Sequence, residues 1–329
     1  MDYTKVTYHS GLLARERFLV TGGAGFIGSH IVQYLLTHGA GHVRVLDNLS
    51  TGKKENIEPF LQHENFEFIE GDITDLSTCE RAVQGMNRVS HQAALGSVPR
   101  SIAHPVASHA ANVTGMIHML AASKDAGVKR FAYASSSSVY GDHPQLPKVE
   151  EEVGTPLSPY AWTKKMDEQY AYAFAKAYDF KSIGLRYFNV YGERQRPDGP
   201  YAAVIPLFMQ ALKEDRSPTI HGDGGQTRDF TYVANAVQAN VRAMFASNEA
   251  CDEVYNVACG ARISVLELWD ILAGHAGKDL KPKHTDPRAG DVRNSLANVS
   301  KAERLLGYRD LIHMDAGLAQ TWKNFAHES

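Results

Sequence analysis

Short apolar segments alternate with amphipathic stretches between residues 18 and 187 of the chain. The segments that predict β-strands are residues 18–20, 42–46, 66–69, 88–91, 130–134 and 182–187. The stretches that predict helices between them include residues 26–36, 77–83 and 106–126. Strands that alternate with helices in this way are typical of βαβ units. The pattern therefore predicts the α/β class with a doubly wound parallel sheet.

A glycine cluster, "VTGGAGFIGSH", joins the first predicted strand to the first predicted helix. Gly22, Gly25 and Gly28 form a G-x-x-G-x-x-G pattern, and Gly23 gives an alternative G-x-G-x-x-G. Glycines there make a tight turn and let backbone N–H groups approach a pyrophosphate at the helix N-terminus. Asp47 ends the next strand about 20 residues further on, where an acid accepts hydrogen bonds from ribose hydroxyls and repels a 2′-phosphate. The combination predicts a Rossmann-type dinucleotide site that takes NAD rather than NADP.

The stretch "LSPYAWTKKMDEQYAYAFAKAY" predicts a helix with Ser158 as its N-cap and a proline at its first position. Tyr160 then lies in the first turn, and Lys164 shares its face. The positive helix end and the ammonium both favour a phenolate, so Tyr160 could act as a base near neutral pH. The same helix contains a second pair of this spacing, Tyr172 and Lys176. Position in the helix favours Tyr160, and we expect Tyr172 to be a packing residue.

Composition narrows the classes of function further. The chain has 329 residues, of which 43% are hydrophobic and 22% charged, with a net charge of -3 and a mean hydropathy of -0.31. These values disfavour nucleic acid and membrane as partners, and no apolar run is long enough to span a bilayer. Three irregularly spaced cysteines predict neither a disulfide framework nor a metal site. Because the N-terminus lacks the apolar core of a signal peptide, we expect a cytoplasmic protein.

Taken together, these residues resemble the extended short-chain dehydrogenase/reductase family over nearly the whole chain from residue 18 onward. The features that carry the likeness are the glycine cluster, Asp47, "HQAA" (91–94), Asn112, the serine run at 135–138, Tyr160 with Lys164, and "LRYFNVYG" (185–192). Longer motifs resemble the UDP-N-acetylglucosamine 4-epimerase branch: "HQAALGSVPRSI" (91–102), "SPYAWTK" (158–164), "LRYFNVYGERQRPDGPYAAVIP" (185–206), "GDGGQTRDFTYV" (222–233) and "RAGDVRNSLANVSKAERLLGY" (288–308).

The resemblance implies a reaction and a catalytic tetrad. The tetrad consists of Asn112, Ser136, Tyr160 and Lys164. Within the serine run, the step to Tyr160 selects Ser136, Ser137 would face the sugar, and the outer two serines would be scaffold. Asn112 resembles the asparagine that holds the active-site lysine through water. The implied reaction is NAD-dependent, reversible inversion at C4 of UDP-GlcNAc and UDP-GalNAc through a transient 4-keto sugar, and the site could also take UDP-glucose and UDP-galactose.

The resemblance also implies which residues contact cofactor and substrate. Those expected to bind NAD are Gly22, Gly25, Phe26, Ile27, Gly28, Asp47, Asn48, Ser50, Thr51, Gly52, Asp72, Ile73, Gln92, Ala93, Ala94, Tyr160, Lys164 and Tyr187. Those expected to contact the UDP-sugar are Ser97, Ser136, Ser137, Asn189, Gln195, Ala203, Val204, Arg228, Arg262, Arg288 and Ser295. Arginine suits a diphosphate that is bound without a metal, because its guanidinium forms bidentate hydrogen bonds. Family members restricted to non-acetylated sugars resemble one another in having a tyrosine where this chain has Ser295, so the serine predicts room for an N-acetyl group.

Three parts are expected along the chain. Residues 1–17 form an N-terminal extension, a polar lead-in with room for one short helix. Residues 18–189 form the NAD-binding Rossmann domain, to which 230–259 return, and 190–229 with 260–329 form a smaller mixed α/β domain that binds the UDP-sugar. The helices near 101–126 and 160–178 carry apolar residues on more than one face, and the resemblance implies a homodimer built through a four-helix bundle.

Several other functions share these features. A UDP-uronate 4-epimerase, a UDP-sugar 4,6-dehydratase and a dehydrogenase that uses free NAD(H) would all have the same tetrad. The dehydratase is disfavoured because Ser136 is followed by two serines and a valine, whereas dehydratases resemble one another in having an acidic pair there. A catalytically silent NAD-sensing regulator is a further alternative, but it would have no need for a phenolate.

Overall fold

The computed structural model of the protein describes residues 3–198, 202–286 and 293–327. Its centre is a seven-stranded, wholly parallel sheet. The strands are β1 (Arg17–Thr21), β2 (His42–Asp47), β3 (Phe66–Glu70), β4 (Arg88–His91), β5 (Arg130–Ser136), β6 (Ser182–Tyr187) and, from later in the chain, β11 (Glu253–Val257). They lie in the order β3-β2-β1-β4-β5-β6-β11. This confirms the predicted fold class, and each of the six predicted strands is present.

Helices cover both faces of this sheet because alternate strand residues point to opposite sides. The helices are α1 (Phe26–Thr37), α2 (Leu76–Val83), α3 (Val98–Ala103), α4 (Pro105–His109), α5 (Gly115–Asp125), α6 (Pro159–Tyr178) and α8 (Val233–Phe245). In β1, Phe18 and Val20 are buried with Ile31 of α1. Leu19 is buried in a second cluster on the opposite face with Met116 of α5. The single helix predicted at 106–126 corresponds to two helices, α4 and α5, which are joined by a π-helical turn at Ala110–Thr114.

Strand order reverses at β1, which lies between β2 and β4. Ligands of doubly wound sheets bind beyond the carboxyl ends of the strands at such a switch point. The C-terminal ends of β1, β2 and β4 therefore mark where a functional site is expected.

The remaining elements are short strand pairs and helices. They are β7 (Val190–Tyr191), α7 (Val204–Lys213), β8 (Thr219–His221), β9 (Thr227–Arg228), β10 (Thr231–Tyr232), β12 (Ile263–Ser264), α9 (Val265–Ala276), β13 (Lys283–Thr285), α10 (Ser300–Leu306) and α11 (Met314–His327). β10 pairs with β7, β12 with β9, and β13 with β8. The boundaries of the two domains stay a prediction. In the described part of the chain, no helix is both long and apolar enough to cross a membrane.

The N-terminal extension differs from the expected polar lead-in. It contains two 3-10 turns, Tyr3–Lys5 and Leu13–Arg15, and its last residue already belongs to β1. Tyr8 and Leu13 are buried, and the backbone N–H of Tyr8 donates to the hydroxyl of Tyr34 in α1 at 2.7 Å. The extension thus adds apolar side chains to the core on the α1 side of the sheet.

Candidate active site

The glycine cluster forms a tight turn between β1 and α1. Gly22 has a φ of +67°, and a Cβ placed there would lie 2.6 Å from the backbone nitrogen of Ala93. A Cβ on Gly28 would lie 2.1 Å from the carbonyl oxygen of Gly22. Both positions therefore require glycine. Gly25, which has no side chain, is the N-cap of α1, so the N–H groups of the first turn suit an anion.

Asp47 joins the end of β2 to this turn. Its Oδ2 accepts from the N–H of Ala24 and its Oδ1 from the N–H of Leu49, both at 2.9 Å. Burial raises the pKa of Asp47, and the two N–H donors oppose that shift. Next along the sheet edge, Asn48 Nδ2 donates to Asp72 Oδ2 at 2.7 Å. An acid is thus fixed beside the glycine turn, as recognition of ribose hydroxyls requires.

A cavity of about 580 Å³ runs along this edge of the sheet. All eighteen residues expected to bind the dinucleotide line it, from Gly22 to Tyr187. The residues that sequence reasoning missed in its lining are Leu46, Thr74, Leu95, Gly96, Ala107, Ala110, Ala111, Ala134 and Ser135. Most of these are small or apolar, so only their place after a strand or on a buried helix face could have indicated them. The glycine cradle, the helix N-terminus and the acid together fit a dinucleotide.

The N-terminus of α6 positions Tyr160 at the same cavity. The Ser158 hydroxyl accepts from the N–H of Ala161 at 3.2 Å, as an N-cap should. The backbone N–H of Tyr160 donates to Ser101 Oγ of α3 at 2.9 Å. Because the N–H of Tyr160 is bonded to a neighbouring helix and the next N–H, that of Ala161, is capped, the tyrosine backbone is fixed. The second tyrosine of this spacing, Tyr172, is 55% exposed, so the expectation that it packs is wrong within this chain.

Lys164 is buried one turn later. Its Nζ donates to the carbonyl oxygen of Ala134 at 2.9 Å and pairs with Asp167 Oδ2 at 3.0 Å. Burial disfavours the ammonium, but the negative charge of Asp167 and the proximity of Tyr160 raise the pKa of Lys164 overall. The side chain is therefore a fixed cation at the cavity wall.

The four serines at the end of β5 have different environments. Ser135 is buried, and its hydroxyl donates to Glu168 Oε1 at 2.6 Å. Ser136 is the last residue of β5, and its Oγ accepts from the N–H of Ser138 at 3.1 Å. Ser137 begins a 3-10 turn, Ser137–Tyr140. Ser135, which was expected to be scaffold, lines the first cavity, whereas Ser136 and Ser137 follow it in the chain and are not among the lining residues.

Asn112 lies in the π-helical turn, where its side chain is fully engaged. Its Oδ1 accepts from the N–H of Leu95 at 2.7 Å, and its Nδ2 donates to the Leu95 carbonyl at 3.2 Å and to Thr163 Oγ1 at 2.9 Å. The side chain therefore ties the loop after β4 to the residue that precedes Lys164. The water-mediated link to the lysine stays a prediction.

A second cavity of about 350 Å³ lies among the later elements. Of the predicted substrate residues, Asn189, Val204 and Arg228 line it, and Ala203 is the N-cap of α7. The additional lining residues are Ala202, Leu207, Phe208, Ala211, Arg216, Pro218, Thr219, Ile220, His221, Gln226, Phe230 and Val265. An apolar floor with cations at the rim can take a flat ring system that carries a phosphate.

Buried Asp229 holds together the segments around this second cavity. Its carboxylate accepts from the N–H groups of Cys259, Gly260 and Ala297 at 3.0, 3.1 and 3.2 Å. Burial raises the pKa of Asp229 to about 6, and these donors oppose the shift. This role could not be predicted from the sequence, because the three N–H groups come from segments far from Asp229 in the chain.

The other predicted substrate residues are dispersed. Arg262 is exposed and precedes β12, whose Ile263 pairs with Arg228. The N–H of Ser295 donates to the Thr227 carbonyl at 3.0 Å, which places it beside β9. Gln195 lines a small separate cavity, and its Nε2 donates to the Val190 carbonyl at 3.0 Å. Ser97 is the N-cap of α3 and has a φ of +93°. Arg288 lies outside the described residues.

The fold and the first cavity define a dinucleotide-binding protein of the Rossmann type. Residues 18–258 match the model of the NAD dependent epimerase/dehydratase family. The chain therefore belongs to the NAD-dependent epimerase/dehydratase family.

Named relatives cover nearly the whole chain. It is 37% identical to a UDP-glucose 4-epimerase of Mycolicibacterium smegmatis, over 95% of this chain and 99% of the relative. A solved UDP-N-acetylglucosamine 4-epimerase from Methanobrevibacter ruminantium, in complex with UDP-N-acetylmuramic acid, is 38% identical with a TM-score of 0.89, over 94% of this chain and 98% of that one. A UDP-glucose 4-epimerase from Thermotoga maritima with UDP-glucose is 37% identical with a TM-score of 0.88, over 94% and 98%.

Proposed function

We propose that this protein is a UDP-N-acetylglucosamine 4-epimerase that interconverts UDP-GlcNAc and UDP-GalNAc by reversible inversion at C4. The observation that carries the proposal is the placement of Tyr160 and the buried Lys164 ammonium on the wall of a cavity that fits a dinucleotide. A UDP-sugar epimerase needs this combination, since its base must act beside the nicotinamide. The names of the similar proteins support a UDP-sugar, and the N-acetyl group rests on Ser295.

The eighteen predicted residues, all of which line the first cavity, would hold NAD. The N–H groups at the start of α1 would bind its diphosphate, Asp47 its adenosine ribose, and Lys164 and Tyr160 its nicotinamide end. When bound, NAD would supply reversible hydride chemistry at C4. Everything else in the reaction falls to side chains of this chain.

Tyr160 acts as the base that removes the proton from the O4 hydroxyl. Ser136 donates a hydrogen bond to the same oxygen, and Lys164 stabilises the phenolate with its fixed positive charge. When the 4-keto sugar has turned over, Tyr160 returns the proton to O4. These roles need no acid or base beyond the tyrosine, because the proton that leaves O4 is the proton that comes back.

The second cavity holds the uridine diphosphate. Apolar residues such as Phe208 and Ile220 form a surface for the base. Arg228 at the same cavity, together with Arg262 from the exposed segment before β12, neutralises the diphosphate. Firm binding of the nucleotide leaves the sugar free to rotate, which inversion requires. Small residues around the sugar, Ser97, Ala203 and Ser295, make room for that rotation.

Proton NMR of the anomeric signals tests the proposal directly. Purified protein is mixed with UDP-GlcNAc and, separately, with UDP-glucose. Conversion of UDP-GlcNAc to UDP-GalNAc without net formation of NADH is the expected result. Failure to convert UDP-GlcNAc would refute the N-acetylhexosamine proposal, and stoichiometric NADH would indicate a dehydrogenase instead.

Replacing Ser295 with tyrosine is expected to change substrate choice. The backbone of Ser295 is bonded to Thr227 of β9, so a ring there reaches the space beside Arg228. Ser295→Tyr should lower kcat/KM for UDP-GlcNAc roughly 100-fold, the scale of steric discrimination in a pocket, and spare UDP-glucose. The comparison variant is Ser300→Tyr, at an exposed position in the same segment. Equal loss on both sugars would mean that residue 295 does not select the C2 substituent.

A homodimer is proposed on the basis of two exposed apolar stripes. Val98, Ile102 and Val106 follow one another at four-residue intervals on α3 and α4, as do Trp162, Met166 and Tyr170 on α6. Stripes of this spacing on neighbouring helices suit a four-helix bundle with a second copy.

Sedimentation should therefore show a dimer at micromolar concentration and a monomer for Trp162→Glu. Leu12→Glu, which changes an exposed leucine outside the stripes, should leave the dimer intact. A monomeric unsubstituted protein would rule the bundle out.

A further inference from the structure

Lys164 forms a buried ion pair that neither the motif nor the proposed mechanism explains. The Lys164 and Asp167 side chains are 4% and 2% exposed, and Nζ lies 3.0 Å from Oδ2. A second ammonium proton is donated to the Ala134 carbonyl. Since an ammonium has three N–H donors, one remains for a partner in the cavity. The two protein contacts therefore fix the direction of the third.

Asp167 has no other partner among the described residues. Its Oδ1 is buried and makes no hydrogen bond there. Burial raises the pKa of Asp167 to about 6, while the attraction of Lys164 opposes the shift. Glu168, the next residue, differs: both of its oxygens are bonded to Arg186, and Ser135 donates to one of them. A half-satisfied buried carboxylate is costly to a fold, so stability alone gives no reason for an acid at position 167.

We propose that Asp167 is a positioning residue that holds the Lys164 ammonium at the cavity wall and offsets its charge beside Tyr160. This inference rests on the proposed function, because Lys164 and Tyr160 have their catalytic roles there. Asp167 acts only through the lysine. It makes no contact with the substrate in this mechanism.

The groups around the Lys164–Asp167 pair determine the net charge beside Tyr160. The charged or titratable groups that face it are Tyr160 and Glu168 on α6, His91 on β4, Tyr133 on β5 and Arg186 on β6. Burial lowers the pKa of His91 to about 3 and raises that of Tyr133, so both are neutral near pH 7. The cluster then holds two cations against two carboxylates. The phenolate of Tyr160 therefore forms beside a cluster that has no net charge.

Removing the carboxylate charge leaves a net positive cluster next to Tyr160, which favours the phenolate. Asp167→Asn keeps an oxygen that can accept from Nζ and removes only the charge. We expect kcat at pH 8 to stay within a few fold and the acid limb of the kcat profile to move down by about 1 pH unit, the shift that one nearby charge produces. Asp167→Ala removes the hydrogen bond as well as the charge, so kcat should fall about 100-fold on the plateau above the acid limb, with KM unchanged.

A readout without turnover separates this proposal from the proposed function. Near-ultraviolet phenolate absorbance is titrated in the protein and in Asp167→Asn, each against its own Tyr160→Phe counterpart. The phenolate should form at lower pH in Asp167→Asn even if the substrate is not UDP-GlcNAc. Asp279→Asn, an exposed carboxylate paired with Lys281, should change neither readout.

Two results would overturn the proposal. One is an acid limb of Asp167→Asn that coincides with the unsubstituted protein or lies at higher pH, together with an unmoved phenolate titration. The other is an Asp167→Ala variant that keeps full kcat. If the alanine variant fails to fold, the isosteric asparagine variant decides the question alone.

Discussion

Tyr160→Phe is expected to lower kcat by ~10³-fold, which is the scale on which loss of a general base acts, and to leave NAD bound. The phenol hydroxyl is the group that takes the O4 proton, and Asp167, the carboxylate that is bonded to Lys164, makes no contact with the substrate in the proposed mechanism. The backbone of Tyr160 stays fixed because its N–H is bonded to Ser101 and the next N–H to Ser158. Cofactor contacts are spread over the whole first cavity, so the loss of one hydroxyl should not release NAD.

Turnover is measured by NMR, and bound NAD by absorbance of the cofactor released on denaturation. Tyr172→Phe is the matched control, since Tyr172 has the same four-residue spacing to a lysine, Lys176, whose Nζ lies 5.1 Å from the ring centroid. Because that pair is on the surface of α6, its variant should keep full activity. Full activity in Tyr160→Phe would refute the assigned base, and equal losses in both variants would show that the effect belongs to the helix rather than to the site.

Local patterns were sufficient to predict six of the seven strands of the sheet and the cofactor cavity, whereas β11, which joins the sheet from late in the chain, was not predicted as a strand. Each of the six is a short segment with apolar residues, so its position is encoded within a few residues of itself. The glycine turn and Asp47 belong to the same βαβ unit, and their spacing follows from the length of one strand and one helix. The NAD-binding roles of the cavity residues stay predictions, but the fold places all of them together.

Long-range polar contacts were not predictable in the same way. The carboxylate of Asp229 and the donors it binds meet only after the later segments fold over the sheet. The apolar lining of the second cavity comes from α7 and the strands around it, where each residue alone suggests an ordinary core. Asn112 was expected to hold the lysine through water, which stays a prediction, but its direct contacts with Leu95 and Thr163 could not be predicted from its place in a helix.

The buried ion pair between Arg186 and Glu168, next to the serine run, is another long-range polar contact. Breaking it should lower the free energy of unfolding more than any other substitution considered. Arg186 of β6 and Glu168 of α6 are joined by two hydrogen bonds at 2.8 and 2.9 Å, and both side chains are buried. Glu168→Ala leaves the guanidinium buried without its counter-ion, because its remaining bond is to the Glu150 carbonyl. Loss of one partner from a buried pair costs about 3–5 kcal/mol, and urea unfolding at a fixed NAD load should show this decrease in free energy.

The double variant Glu168→Met with Arg186→Met distinguishes the pair itself from the charge it leaves behind. Apolar residues of similar volume often replace a buried ion pair without loss, so this variant should recover most of the stability that Glu168→Ala loses. The turnover of the double variant should nevertheless lie below that of the unsubstituted protein. Ser135 would lose the acceptor for its hydroxyl, so the end of β5 that carries Ser136 would lose this bond to α6. A double variant that regains stability and full turnover together would mean that the pair serves only the fold, and that the serine run does not depend on it for its position.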